Sequence, residues 1–375
     1  MDTPTTEAQR VLVLGKLDGY ANGIKPAAVH RYLVERGHHA TLVNTYHLSR
    51  ASSVAGSLGS KLPRPGLRRL ALYALEAASA VLSRRWASPS RHLSFYVLVG
   101  GYRLRRSLLR SLLPLDDFDL IICEHPDDAG VLTVRTAAQT LYECPTPWAD
   151  ELFFEDRLTE RQHQKLRRLE AELFESVDAL SFSWQTYAGY AVEHYGISGR
   201  NLLQLNWGCI PADHRAAFRD PPRIVYMSSL SSKFIDLPLL SRLSNLYPHI
   251  DVYGGPPPDA ALGLNYLGHA SPTVLREYQF GLITCRPDDE LRRDGFSAKH
   301  LDYIAYGLPV LVPAWRRHMD LLRGSVPYDE NSFVSVIRAL SDEAEWKRVS
   351  DEAYAQAQRL TWDQTLRPLD TLLGA

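Results

Sequence analysis

The sequence predicts an α/β protein of two lobes, each a parallel sheet covered by helices. Three observations carry this. Short aliphatic runs such as Val11 to Leu14 alternate with helical stretches, the alternation pauses near Pro221-Pro222, and it then restarts. The 375 residues, 45% apolar and 23% charged, are enough to build two cores and too apolar for a disordered chain.

Val11-Leu12-Val13-Leu14, ending at Gly15, reads as a buried first strand, with Gly19 and Gly23 in the loop that follows. From Pro26 to Arg36 the apolar residues Ala28, Val29, Tyr32 and Leu33 recur at helical spacing, Gly37 stops the helix, and Ala40 to Asn44 forms the next strand. These make a βαβ unit. After a long middle segment the pattern gives strand Phe118 to Cys123, helix Asp128 to Gln139, strand Thr140 to Glu143, a charged helix from Thr159 to Glu175, and strands Ala179 to Ser183 and Asn201 to Leu205.

The second half repeats it with strand Arg223 to Met227, helix Leu237 to Leu246, strands Ile250 to Tyr253, Leu264 to Leu267 and Gly281 to Cys285, helix Ala298 to Tyr306, and strand Pro309 to Val312. The expected organisation is a first lobe over residues 1–207, a linker over 208–222, a second lobe over 223–357 and a final helix, 358–375, returning to the first lobe. Ligands of parallel sheets sit beyond the carboxyl ends of the strands, so the loops after Leu14, Cys123, Glu143, Met227 and Cys285, and the cleft between the lobes, are where chemistry is expected.

With 42 basic and 43 acidic residues, overall charge gives no case for a nucleic-acid partner. Cys123, Cys144, Cys209 and Cys285 lie far apart without a C-x-x-C pair, which signals neither zinc nor a disulfide framework. Met1 to Arg10 lacks the basic-then-apolar order of a secretory signal and no run of about 18 apolar residues occurs, so the expected location is the cytoplasm. Charge is nonetheless uneven. Between Lys61 and Leu113, eleven Lys or Arg residues, among them Arg68, Arg69, Arg84 and Arg85, face the single acid Glu76, a net +10. Leucines and aromatics interleave with them, which predicts a basic amphipathic helical insertion over 50–113 whose natural counterpart is an anionic membrane surface, with the peripheral inner face of the cytoplasmic membrane as its place.

The most informative stretch runs from Asp294 through Gly295, Ser297, Ala298, Lys299, Asp302, Gly307 and Pro309 to Val312. A helix opening at Ser297 or Ala298 offers free backbone N–H groups and a positive dipole end to a diphosphate, and Lys299 can add a point charge. Asp302, one turn further on, can accept from a ribose diol, and Asp294 can reach a sugar. This string resembles the donor-binding signature of GT-B glycosyltransferases of family 4, in which an acid, seven residues and a second acid precede A-x-G-x-P-V. Both acids are usually Glu there, and Asp is shorter.

The resemblance implies two Rossmann-like lobes facing a cleft, a nucleotide-diphosphate sugar as co-substrate, no metal and no further cofactor. It extends to Asn206-Trp207-Gly208-Cys209-Ile210, similar to the family's P-N-G-V-D crossover, and to Leu360-Thr361-Trp362-Asp363, similar to its terminal S-W helix. Of the family's Arg and Lys pair after the first strand of the second lobe, Ser228 to Lys233 keeps only Lys233, which the resemblance assigns to the leaving diphosphate.

Candidates for catalysis are Asp150, then Glu143, in the strand-end loop Glu143 to Glu151, and His125 after another strand. Gly15 is a place where backbone can approach the donor, and Tyr20 is grouped with the acceptor side. Asp117-Phe118-Asp119 precedes a strand and is discounted as a metal site. The expected function is transfer of a hexosyl group to a lipid-linked or membrane-surface glycan. Transfer to a soluble natural product, a 2-epimerase of the same fold and a non-catalytic membrane adaptor are the alternatives.

Overall fold

A computed structural model describes residues 7–17, 21–45, 74, 90–197, 202–228, 230, 234–287, 290–295 and 297–374. The chain divides into two compact units, Met1–Asn206 with Thr365–Ala375, and Trp207–Gln364.

The first unit holds β1 (Arg10–Gly15), α1 (Ala21–Glu35), β2 (His39–Asn44), α2 (Ser90–Leu112), β3 (Leu120–Cys123), α3 (Pro126–Ala129), β4 (Gln139–Cys144), α4 (Trp148–Phe154), α5 (Glu160–Ser176), β5 (Ala179–Phe182), α6 (Gln185–Tyr195) and β6 (Leu202–Leu203). Its six strands lie in the order β2-β1-β3-β4-β5-β6, and every pair is parallel. Helices on both faces bury such a sheet, which is why β3 reads as an unbroken apolar run and why all four residues of β3 and of β5, Ser181 included, are buried. Chain direction across the sheet reverses between β1 and β3.

The second unit contains β7 (Ile224–Met227), α7 (Leu237–Leu246), β8 (Ile250–Tyr253), β9 (Asn265–Tyr266), β10 (Phe280–Leu282), α8 (Glu290–Arg293), α9 (Ala298–Ala305), β11 (Val310–Pro313), β12 (Ser325–Tyr328), α10 (Phe333–Ala339), α11 (Glu343–Arg359) and α12 (Trp362–Leu366). The strand order is β12-β11-β10-β7-β8-β9, again all parallel, and it reverses between β7 and β10. The two-lobed α/β expectation holds in both sheets.

Several local expectations do not. The predicted helix from Asp128 to Gln139 is one turn, α3, then a 3-10 turn over Gly130–Thr133, and Gln139 already belongs to β4. Pro126 starts that turn, while Thr133, Val134 and Thr136 are β-branched and disfavour its continuation. Helix α1 begins five residues before Pro26, which sits inside it. The strand expected over Asn201 to Leu205 shrinks to two residues. Elements β12, α10 and α11 had no assigned pattern.

Of the basic stretch, only Ala74 and residues from Ser90 onward are described; Lys61, Arg64, Arg68, Arg69, Arg84 and Arg85, like Tyr20, Lys233 and Phe296, lie outside the described residues. Helix α2 does not lie free with all its arginines outward. Phe95 and Tyr102 enter a cluster with Trp148, Ala149, Leu152, Leu158 and Leu166, and Arg105 is buried. Arg103, Arg106 and Arg110 are exposed.

Candidate functional site

Crevices in parallel sheets form where the strand order reverses, because the loops leaving the two strands part in opposite directions. In the second unit that point lies between β7 and β10. A cavity of about 220 Å³ opens there, lined by Ser228 after β7, Ile283, Thr284 and Cys285 after β10, Ser297, Ala298 and Lys299 at the start of α9, Arg316 after β11, and Phe234 and Ile235. A volume below the roughly 300 Å³ of a typical small-molecule pocket suits part of a ligand, of about the size of a diphosphate.

Local packing aims α9 at this cavity. A Cβ at Gly281 would stand 2.3 Å from the Tyr303 ring, so only glycine lets the helix approach β10 this closely. The Tyr303 hydroxyl accepts from the Met227 amide at 3.0 Å and donates to the Leu282 carbonyl at 3.4 Å, which ties α9 to both strands of the switch point. Ser297 is the N-cap residue and its side chain makes no capping bond, so the first amides of α9 have no side-chain acceptor there. Lys299 lies with its ammonium 4.9 Å from the Tyr226 ring centroid. None of the ten lining residues is acidic.

Arg316 lines the cavity and is a residue that sequence reasoning did not single out. It is 8% exposed, donates to the Gly295 carbonyl, and forms no ion pair with any described residue. Its Nε is buried without a hydrogen-bond partner. The available signal was position: Arg316 follows a strand, where ligand-contacting residues of this architecture sit. Beside it His300 is buried, and burial together with Arg316 pushes its pKa down to about 3, so the imidazole is neutral.

The two acids of the string do not line the cavity. Asp294, mostly buried in the loop before α9, lies 3.6 Å from both Arg317 Nη1 and His318 Nε2. Asp302 is open to solvent one turn beyond Ala298, yet surrounding protein raises its pKa to about 6 against the pull of Lys299.

In the first unit the candidates are held by internal partners. Glu143 is buried against the equally buried Lys25, whose Nζ also donates to the Leu205 carbonyl at 2.5 Å. Burial draws the Glu143 carboxyl upward and Lys25 opposes it. Asp150 accepts from His163 Nε2 at 2.5 Å and Tyr190 Oη at 3.0 Å. Burial would raise its pKa, but the His163 hydrogen bond and Arg167 prevail and hold it below the usual carboxylate range, the wrong direction for a base.

At the reversal between β1 and β3, Lys16 bonds Asp127 at 2.6 Å, and His125 Nδ1 accepts from the Asp127 amide at 3.2 Å. That leaves the ring proton on Nε2, a donor. Burial and Lys16 lower the His125 pKa to about 4. A Cβ at Gly15 would stand 2.4 Å from the Pro26 side chain, so packing against α1 requires the glycine. In the discounted D-x-D triplet, Asp119 bonds Arg10, and no group of three or more His, Cys, Asp or Glu able to hold a metal occurs among the described residues.

No protein-family model matches the chain by sequence, and no curated protein sequence is similar to it. Solved structures are. Sucrose-phosphate synthase from Thermosynechococcus elongatus matches at 11% identity over 97% of this chain and 98% of its own, with a TM-score of 0.67. The glycosyltransferase of kitacinnamycin matches at 13% identity over 98% of each chain, with a TM-score of 0.55. The pneumococcal O-GlcNAc transferase GtfA, solved with UDP and GlcNAc, matches at 16% identity and a TM-score of 0.52, over 72% of this chain and 59% of its own. Identities this low speak for the fold, which is the GT-B fold of two Rossmann-like units.

Proposed function

We propose that the protein is a glycosyltransferase that takes a sugar from a nucleoside-diphosphate donor, with the donor's diphosphate in the cavity at the amino end of α9. One observation carries this reading. A cavity of diphosphate size at the strand-order reversal is lined by a helix N-terminus, Lys299 and Arg316, with no acid among its described lining residues. The pneumococcal GtfA structure, solved with UDP and GlcNAc, supports it by likeness of fold.

In this reading Ser297 and Ala298 offer amides and Lys299 a charge to the leaving diphosphate, where negative charge grows in the transition state. Asp302 accepts from the ribose diol and Asp294 from the transferred sugar. Lys233 would add a second charge from the loop after β7. The carboxylates of the first unit are engaged, Glu143 with Lys25 and Asp150 with His163 and Tyr190. The departing diphosphate is therefore the favoured proton acceptor, and His125 a hydrogen-bond donor. No metal or cofactor enters the scheme.

For the acceptor, the reading is a glycan or glycolipid at an anionic membrane surface. Arg103, Arg106 and Arg110 share the outward side of α2, as does the 65% exposed Tyr96, and none of the three arginines forms an ion pair with a described residue. Each such charge near an anionic leaflet contributes about 1 kcal/mol. No helix among the described residues is long and apolar enough to cross a membrane.

Calorimetric titration of UDP, ADP and GDP into the wild type, Lys299→Ala and Asp302→Ala tests the donor site. One nucleoside diphosphate should bind the wild type and weaken in both variants; equal affinity in all three would remove it. Turnover of a sugar nucleotide without any acceptor would favour the epimerase. Flotation with phosphatidylglycerol vesicles should drop when Arg103, Arg106 and Arg110 become Gln, and undiminished flotation would count against the membrane surface.

A further inference from the structure

We propose that Arg316 is a diphosphate-binding residue, a fixed positive charge of the donor site, and that the bound diphosphate is the counter-ion its buried guanidinium lacks among the described residues. The inference rests on the donor reading above and adds a residue to it.

A guanidinium stays ionised at any physiological pH, so it cannot escape the cost of burial by losing a proton. Buried charges in folded proteins are accordingly paired or hydrogen-bonded. Arg316 is more than nine-tenths buried, and among the described residues it has one acceptor, the neutral Gly295 carbonyl. Its Nε has no partner, and no carboxylate pairs with it among the described residues. Asp294, in the loop that Arg316 bonds through Gly295, faces Arg317 and His318, the two residues that follow Arg316.

Other groups around Arg316 do not neutralise it. His300 is neutral and sits close enough for the arginine to depress its pKa, and Lys299 across the cavity is another cation. Two cations lining one cavity with no acid among its described lining residues favour an anion, and the amino end of α9, where Ser297 makes no side-chain capping bond, lines the same space. An arginine presents planar paired donors to phosphate oxygens where a lysine presents a point charge, so Arg316 and Lys299 would grip two phosphoryl groups differently.

The bond from Arg316 to the Gly295 carbonyl has a further consequence. The loop carrying Asp294 is fastened to the turn after β11 by that bond and by the Arg317 amide, which donates to the Arg293 carbonyl at 2.8 Å. The residue that holds the diphosphate therefore also fixes the loop whose carboxylate would meet the sugar.

The test titrates UDP, ADP, GDP and inorganic pyrophosphate into the full-length wild type, Arg316→Gln and Arg316→Lys, with thermal unfolding of each apo form. Arg316→Gln should weaken the diphosphate by at least tenfold, Arg316→Lys by less, and the apo melting temperature of Arg316→Gln should stay level or rise because an unpaired buried charge is gone. Diphosphate affinity of Arg316→Gln within twofold of the wild type would overturn the proposal, as would weakening that appears only with a lowered apo melting temperature and equally in Arg316→Lys. Should pyrophosphate bind the wild type and no nucleoside diphosphate do so, the sugar-nucleotide reading falls, while loss of pyrophosphate in Arg316→Gln would still uphold Arg316.

Discussion

The two sheets reverse strand order in the same way, and the two reversal points are furnished in opposite ways. Around β1 and β3 every described cation near the strand ends meets an acid: Lys16 with Asp127 at 2.6 Å, Arg105 with Asp128 at 2.6 Å, Lys25 with Glu143. Around β7 and β10 the buried Arg316 has, among the described residues, only a carbonyl, and a cavity lies beside it. Ion pairs closed within the protein hold a structure together, whereas a charge left open is a request for a ligand. The contrast is why the donor reading concentrates on the second unit, while Glu143 and Asp150 of the first are held by Lys25 and by His163 and Tyr190.

The largest expected effect breaks the closed side. Glu143→Ala leaves Lys25 buried without its acid, a change of about 3–5 kcal/mol. Urea denaturation at pH 7 should show that loss, and a double change of Lys25→Met with Glu143→Leu should recover most of it. A loss in Glu143→Ala no larger than that of a surface substitution would mean the pair is not closed as described. Arg316→Met, the matching change on the open side, should cost the apo protein far less, since the loss of its bond to the Gly295 carbonyl is offset by removal of a buried charge.

How much of this was legible in the sequence follows from the range of the interactions. Val11 to Leu14 and Leu120 to Cys123 read as strands because a sheet buried on both faces demands unbroken apolar residues. The start of α9 was legible because its cap and following residues are local. The partners of Glu143 and Asp150 were not, since Lys25 is 118 positions away from Glu143 and His163 meets Asp150 only once α4 and α5 pack. Arg316 stands outside the motif string and reaches the cavity only through the β10 to β11 crossover. Asp127 and Asp128 of α3 pair with Lys16 and Arg105, contacts that no window of periodicity contains.

A second prediction concerns a buried acid of the closed side that has no cation. Glu170 accepts from the amides of Trp148 and Ala149 and from Tyr195 Oη, and burial raises its pKa to about 7 despite those bonds. A carboxyl whose folded pKa lies above its unfolded value of 4.5 stabilises fully below pH 4.5, and that contribution is lost as pH rises through about 7. The change is about 3 kcal/mol over this window. Denaturation of wild type against Glu170→Gln between pH 5 and 8 should show the wild type losing stability relative to the variant as pH climbs. A difference constant across that range would place the Glu170 pKa at its ordinary value.

Next in size is a matched pair of lysines. Lys299→Ala should weaken nucleoside-diphosphate binding about tenfold, roughly 1.4 kcal/mol, while Lys16→Ala should leave it within twofold, because Lys16 is spent on Asp127. Isothermal titration reads both. Equal losses from the two lysines would erase the distinction between the closed and open reversal points.

The smallest effect tests the rim of the open side. Asp302 is raised to about 6, chiefly by surrounding protein and against the pull of Lys299, so its carboxylate persists above pH 6 and is protonated below it. Inorganic pyrophosphate has no ribose and cannot report on Asp302 through a diol, whereas a nucleoside diphosphate can. The ratio of nucleoside-diphosphate to pyrophosphate affinity should therefore fall about threefold as pH drops from 7.5 to 5, the size of one neutral hydrogen bond at a solvent-exposed position. Phosphate ionisation is largely shared by the two ligands and cancels from the ratio. In Asp302→Asn the ratio should be low and flat with pH. A wild-type ratio that stays constant across pH 6, or an Asn variant that keeps the wild-type slope, would remove Asp302 from the ribose and leave the cavity cations as the whole of the recognition.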